Sequence, residues 1–315
     1  MHNFLKFYFQ RKTYEKYILF VLLKRGENLM YDVIILGGGP AGVSASLYCA
    51  RANKKVLLIY GDDSGLMKAQ KIDNYYGFEN GISGEELYRV GLRQAKNIGV
   101  EILEEEVLKI EMNEHFYEVS TKNRIYETRT IILAMGTKRN TLKIQGIQEF
   151  EGKGVSYCAI CDGFFYKNKD VVVIGSGDYA ISETNDLINV VNRITILTNG
   201  EKAPEVRSDN VAIVTKEVKE VLGEGRVEEI RFKDNSTLKT DGVFIANGTA
   251  GATEFAKKLG LMMNNDKIAV DENMKTNIEG IYACGDCTGG LLQVSKAVYE
   301  GAKAGLAVIE YLNFI

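Results

Sequence analysis

Two stretches of the chain read as a buried strand running straight into a glycine-rich turn and then a helix. A chain that carries this unit twice has few folds open to it. The first is Asp32-Val33-Ile34-Ile35-Leu36 followed by Gly37-Gly38-Gly39-Pro40-Ala41-Gly42. A continuous apolar run suits a strand covered on both faces of a parallel sheet. In G-x-G-x-x-G the first glycine allows the tight turn, the second lets backbone approach a pyrophosphate, and the third brings helix and strand together. Residues 41–53 then read as a helix and 56–59 as a second buried strand, which completes a βαβ unit. The second copy runs from Val171-Val172-Val173-Ile174 through Gly175-Ser176-Gly177-Asp178-Tyr179-Ala180, a helix over about 179–191, and a strand over 194–197. The expected fold class is α/β, with two Rossmann-like three-layer nucleotide-binding domains. Two further apolar segments, 131–137 and 243–248, contain or end in glycine and place the crossings between domains near 138–143 and 246–250. The C-terminal block then returns to the first domain. Residues 30–140 and 249–315 form that discontinuous domain, and 141–248 form the second, inserted into it.

Composition narrows the chemistry. A net charge of -3 and a pI near 5.7 give no basic footprint for nucleic acid. The two histidines, His2 and His115, lack the partner spacing of a zinc protease or a serine-type triad. Four of the five cysteines form two C-x-x-C pairs, a pattern of catalytic thiols in a reducing cytoplasm rather than a disulfide scaffold.

The first 29 residues differ from the rest, with six Lys or Arg against two Glu and two aromatic-rich runs. The apolar run is too short to span a bilayer, and the absence of a small-residue cleavage site argues against a signal peptide. Lys24-Arg25-Gly26-Glu27 can be encoded by a purine-rich, ribosome-binding-like stretch ahead of Met30. The stretch therefore reads as sequence upstream of a true start at Met30, or else as a disordered or amphipathic arm. No membrane association is expected.

The pair Cys158-Ala159-Ile160-Cys161 lies between the two glycine turns. Such a pair closes and reopens a small disulfide through its thiolate, and its position points to electrons passing from a bound flavin to that disulfide. Cys284 and Cys287 bracket Asp286 and read either as buried small hydrophobes or as a second redox pair. A zinc site joining both pairs would need ligands closer in sequence, so no metal is expected. Cys49, inside the first helix, reads as a core residue.

Together these motifs resemble the low-molecular-weight thioredoxin reductases, over nearly the whole chain from Met30 onward. The residues that carry the resemblance are Cys158-Ala159-Ile160-Cys161-Asp162-Gly163-Phe164-Phe165-Tyr166, Asp73-Asn74-Tyr75-Tyr76-Gly77-Phe78, and Tyr282-Ala283-Cys284-Gly285-Asp286 with Gln293. The resemblance implies a homodimeric FAD enzyme that reduces thioredoxin or a thioredoxin-like protein. It implies that Gly37, Gly39, Pro40, Ala41 and Gly42 lie on the FAD pyrophosphate, with Tyr60 and Gly61 lining the adenosine side and Asn74 approaching the flavin. Asp286 would bind the ribityl chain, with Gly285 beside it also on the cofactor. Gln293 and Val294 would open a helix whose positive end faces the flavin, the helix supported by the apolar spacing Val294, Ala297, Val298, Ala302, Leu306 and Ile309. It further implies that Cys161 meets the flavin, Cys158 exchanges with thioredoxin, and Asp162 protonates a leaving thiolate. At the end of the second strand, where an acid often binds ribose, stands Tyr60, with Asp62 and Asp63 beyond it.

The second domain departs from the family pattern. After the strand ending at Leu197 the text is Thr198-Asn199-Gly200-Glu201, with no arginine before Arg207 to grip an extra phosphate, and Tyr179 stands where a small residue is usual. In this the chain is similar to the ferredoxin-dependent flavin thioredoxin reductases of anaerobic bacteria. That similarity implies reduced ferredoxin as donor. The alternatives are an NADPH-dependent thioredoxin reductase with an altered pocket, and a low-turnover flavin redox sensor.

Overall fold

The strand that leads into the first glycine turn, β1 (Tyr31–Leu36), is buried at every position but Asp32. Each Ile or Leu so covered contributes roughly 1.5–3 kcal/mol relative to exposure. The computed structural model describes residues 30–315 apart from 62–63, 137–141, 143, 207 and 249. The N-terminal extension, Asp62, Asp63, most of the first expected crossing and Arg207 thus lie outside the described residues.

From β1 the chain continues through α1 (Pro40–Arg51), β2 (Val56–Tyr60), α2 (Gly84–Asn97) and β3 (Glu101–Glu104), then the meander β4 (Val107–Met112), β5 (Tyr117–Thr121) and β6 (Ile125–Leu133). The sheet order is β3-β2-β1-β6-β5-β4. A second sheet follows, built from β7 (Val155–Ser156), β8 (Asp170–Ile174), β9 (Arg193–Leu197), β10 (Val211–Val214) and the later β14. Within it lie the one-turn helix α3 (Ala159–Asp162), α4 (Asp178–Leu187), and a three-stranded antiparallel unit, β11 (Val218–Leu222), β12 (Glu229–Phe232) and β13 (Thr237–Lys239), that precedes β14 (Gly242–Ile245). The order β10-β9-β8-β14-β7 is parallel throughout. The chain then runs through α5 (Ala252–Leu259) and the short hairpin β15 (Met263–Asn264) and β16 (Lys267–Ile268). It rejoins the first sheet as β17 (Ile281–Ala283), parallel to β6, and ends in α6 (Val294–Leu312). The architecture is α/β, with one Rossmann-like domain inserted into another.

Two helices differ from the sequence reading. The second-domain helix stops at Leu187, four residues before the expected end, because the following stretch turns back through Val190 N–H and Val191 N–H onto the Leu187 carbonyl. On α6 the expected stripe is rotated: Leu306 is 53 % exposed, and the buried face is Ala297, Gly301, Ala304, Gly305, Ala307, Val308 and Leu312. The reason is close packing on α1. A Cβ on Gly301 would stand 2.1 Å from the Ala41 carbonyl oxygen, so the two backbones touch where only small residues fit.

The apolar interior does not stop at the domain boundary. One buried cluster joins Val107, Val119 and Ile131 of the first sheet to Tyr179, Ala180 and Leu187 of α4 and Phe255 and Leu259 of α5.

Candidate active site

A cavity of about 530 Å³ opens at the carboxyl ends of β1, β2 and β6, the crevice where open α/β sheets bind ligands. Its lining includes Gly37, Gly39, Pro40, Ala41, Tyr60, Gly61, Asn74, Gly285, Asp286, Gln293 and Val294. Each glycine of the turn has a separate reason. Gly37 sits at φ +116°, and a Cβ there would lie 2.3 Å from the Ala134 carbonyl oxygen; one on Gly42 would lie 1.9 Å from that of Gly37. A Cβ on Gly39 meets nothing within 4 Å. Gly37 and Gly42 therefore shape the turn, while Gly39 leaves its backbone open to the cavity. Gly42 itself is not part of the lining; it acts by close packing.

The helix ends facing this cavity suit an anion. Gly39 caps α1 without a side-chain bond, Pro40 follows at the first helical position, and the first turn holds no acid. The free N–H groups and the positive helix end are what phosphates bind. At the other side, Gln293 caps α6, also with no acid in the first turn, and accepts a 2.9 Å hydrogen bond from Asn74 Nδ2.

One lining residue and a supporting pair were not anticipated from the sequence. Glu105, on the link from β3 to β4, accepts a hydrogen bond from Asn123 at one oxygen and buries Oε2 with no protein partner. Such an oxygen fits a ligand hydroxyl. Lys296 Nζ donates to the Gly285 carbonyl (2.7 Å) and pairs with Glu300 (2.8 Å), whose Oε2 accepts from Gly285 N–H (2.8 Å). This network pins the Gly285-Asp286 loop, and its only sequence signal is an i,i+4 Lys/Glu pair. The turn, the two uncapped helix ends and the orphaned Glu105 oxygen together fit FAD.

Cys158 and Cys161 form a disulfide with Cα atoms 5.3 Å apart. Cys158 is the residue before α3, and its Sγ accepts the Cys161 N–H at 3.1 Å. It is 5 % exposed, whereas Cys161 is exposed and its Sγ lies 4.0 Å from the Lys257 carbonyl oxygen on α5. The disulfide does not line the cavity; it rests on α5, whose lead-in residue Ala250 does. Asp162 closes α3 and is half-buried. Beside the disulfide, Ile160, Phe164 and Phe165 are 51, 75 and 70 % exposed.

Cys49, Cys284 and Cys287 are free and buried. Cys287 Sγ donates to the carbonyls of Leu133 (3.4 Å) and Cys284 (3.2 Å), and Cys49 Sγ to that of Gly305 (3.7 Å). Burial pushes the Cys49 and Cys287 thiols up to about 12 and raises Cys284 well above its ordinary value. Thiols raised by burial carry very little thiolate at pH 8 and are inert. After mild reduction, iodoacetamide at pH 8 is therefore expected to label Cys161, and Cys158 more slowly, but none of these three until the chain is denatured. Native labelling of Cys287 would contradict this. Among the described residues no group of three or more His, Cys, Asp or Glu could hold a metal ion.

The second glycine turn keeps its shape but not its electrostatics. A Cβ on Gly175 would stand 2.1 Å from the Ala246 carbonyl oxygen, as in a tight dinucleotide turn. The first residue of α4, however, is Asp178, ion-paired with Lys122 at 3.0 Å. The first turn of this helix thus carries an acid, where that of α1 carries none. Tyr179 behind it is 2 % exposed. The loop after β9 closes on itself: Thr198 Oγ1 donates to the Glu201 carbonyl, and Asn199 Oδ1 accepts the Val218 N–H. Lys202 is the one cation over 198–206, and it stands among Glu201 and Glu205.

The family profile described as pyridine nucleotide-disulphide oxidoreductase matches residues 31–301. The chain belongs to this family of FAD-dependent disulfide oxidoreductases. Within the family it is similar to a thioredoxin reductase of Aquifex aeolicus, 36% identical over 312 residues, covering 93% of this chain and 97% of the relative. Two solved structures are similar throughout. The atypical thioredoxin reductase of Desulfovibrio vulgaris Hildenborough is 36% identical with a TM-score of 0.84, covering 90% of this chain and 99% of that one. A ferredoxin-flavin thioredoxin reductase of Clostridium acetobutylicum is 35% identical with a TM-score of 0.68, covering 91% and 99%.

Proposed function

We propose that the protein is a thioredoxin reductase that draws its electrons from reduced ferredoxin. The observation that carries the donor assignment is Asp178, an acid held by Lys122 at the helix end where NADPH would place its pyrophosphate. Buried Tyr179 and the self-closed loop after β9 support it. So does similarity to a structure described as a ferredoxin-flavin enzyme. A plant-type ferredoxin near about -400 mV lies ~130 mV below thioredoxin at about -270 mV, roughly 6 kcal/mol for two electrons.

When bound, FAD gathers electrons and hands a pair to a disulfide. The backbone N–H groups of Gly39 and Ala41 would hold the phosphates, with Gly37 and Pro40 setting the turn and the start of the helix, and the end of α6 at Gln293 and Val294 would favour negative charge on a reduced flavin. Two electrons and two protons convert the Cys158–Cys161 disulfide to a dithiol. The Cys158 thiolate then attacks the thioredoxin disulfide, forming a mixed disulfide and releasing a thiolate that Asp162 protonates. Attack by Cys161 on Cys158 frees reduced thioredoxin and restores the starting disulfide. The apolar surface of Ile160, Phe164 and Phe165 beside the dithiol supports a protein substrate. We read the enzyme as a cytoplasmic homodimer; exposed Tyr299 and Leu306 on one face of α6, with Tyr48 of α1 nearby, support self-association.

Mixing the oxidised protein anaerobically with each donor tests the assignment. Reduced ferredoxin at four or more one-electron equivalents per FAD is expected to bleach the flavin at least about a hundredfold faster than two or more equivalents of NADPH. Rapid bleaching by NADPH would overturn the donor.

A further inference from the structure

We propose that Glu183 positions the dithiol, and that its ion pair with Lys258 is a lock that keeps Cys158 covered until the two domains part. Glu183 lies on α4 of the second domain with its side chain 1 % exposed; Lys258, on α5 of the first, is 6 % exposed. Glu183 Oε1 pairs with the Lys258 ammonium, and Oε2 accepts the Ala159 N–H at 2.8 Å. Ala159 stands between the two redox cysteines, so one buried carboxylate ties the dithiol turn to both domains. Lys258 Nζ also sits 5.0 Å from the ring centroid of Tyr179. The bulky residue of the second glycine turn is thus part of the lock.

Three further pairs cross the same seam with the same polarity. Lys109 meets Asp186 at 3.8 Å, Lys122 meets Asp178 at 3.0 Å, and Lys257 meets Glu151 at 3.3 Å. Every lysine comes from the first domain and every acid from the second, three of the four acids from α4. The outer pairs are more exposed and weak. The central pair is buried, so losing one partner leaves a charge stranded, which is costly only while the domains are closed.

The lock matters because exchange requires an accessible sulfur. With the pair made, Cys158 is 5 % exposed and a protein disulfide cannot reach it. The proposal rests on the reading above that Cys158 is the exchanging cysteine. It turns a helix that lost its dinucleotide contact into the element that times exposure of the dithiol.

The test follows iodoacetamide labelling of Cys158 in the reduced, FAD-loaded full chain, with Cys287 as a marker of general opening. In Lys258→Met the Glu183 charge is unpaired only in the closed arrangement, so Cys158 labelling is expected to rise about a hundredfold or more with Cys287 still protected. Adding Glu183→Gln removes that charge and keeps an acceptor for Ala159 but does not restore the bond between the domains, so labelling should fall about tenfold from the single variant and stay above that of the unaltered protein. A lysine that acts through packing alone would leave the double variant as open as the single one. That result, or unchanged Cys158 labelling in Lys258→Met, overturns the lock. If Lys258→Met does not fold, amide exchange in the unaltered protein decides. The Ala159 N–H should exchange as slowly as β8, and loop-like exchange overturns the proposal. Thioredoxin reduction measured in parallel separates the two readings. The labelling cycle without any reduction would sink the substrate and spare the lock, whereas reduction without the cycle would do the reverse.

Discussion

Cys161→Ser is expected to lower thioredoxin reduction by about a thousandfold or more while leaving the fold and bound FAD unchanged. The serine is nearly isosteric, and the position is exposed; beyond its bond to Cys158 the sulfur lies 4.0 Å from the Lys257 carbonyl oxygen at the edge of α5, so little packing is lost. What disappears is the chemistry. Cys158 alone can form a mixed disulfide but has no neighbour to resolve it, and no disulfide remains to accept an electron pair. Steady-state reduction of thioredoxin with either donor, read beside the flavin absorbance, checks this. Full activity in the variant would remove Cys161 from the mechanism.

The second large effect separates two glycines of one turn. Gly42→Ala places a methyl 1.9 Å from the Gly37 carbonyl oxygen, and backbone at both ends leaves nothing to yield. Overpacking of this kind costs about 1–3 kcal/mol or more. The turn must open, and FAD content should fall below about a tenth of the unaltered level together with a loss of thermal stability. Gly39→Ala is the counterpart. Its backbone is extended, at φ -74° and ψ -178°, and the added methyl meets nothing in the protein. The apoprotein should melt as before, and only FAD affinity should drop. Equal melting temperatures for the Gly42→Ala and unaltered apoproteins would show that the close approach at Gly42 is not structural.

The contrast between these glycines also shows what could be read in the chain before its structure. Both βαβ units were legible because strands buried on two faces are written as unbroken apolar runs, and the turns that follow need glycine. Part of the cavity lining was legible for the same reason, together with the family resemblance, whereas Glu105 was not and Gly42 lies outside it. The register of α6 was not: Leu306 points outward because the helix packs through Gly301 and Gly305, which carry almost no hydropathy signal. The three-stranded β11–β13 unit escaped notice because its strands are short and only partly buried. Glu183 and Lys258 stand 75 residues apart, and Lys122 and Asp178 are likewise distant. Nothing local marks such charges as partners, so the seam became visible only once the two domains were placed together. Asp178 could have been noticed in the sequence alone as an acid at the start of a nucleotide-type helix.

The account stands on electrons passing between the FAD bound at the first turn and the Cys158–Cys161 disulfide. An anaerobic dithionite titration of the FAD-loaded protein tests this directly, because flavin and disulfide each hold two electrons. The unaltered chain should take up about four electrons before its flavin is fully bleached, and a Cys158→Ser/Cys161→Ser variant about two. An unaltered chain that bleaches completely at two electrons, with its disulfide still closed, would contradict the account.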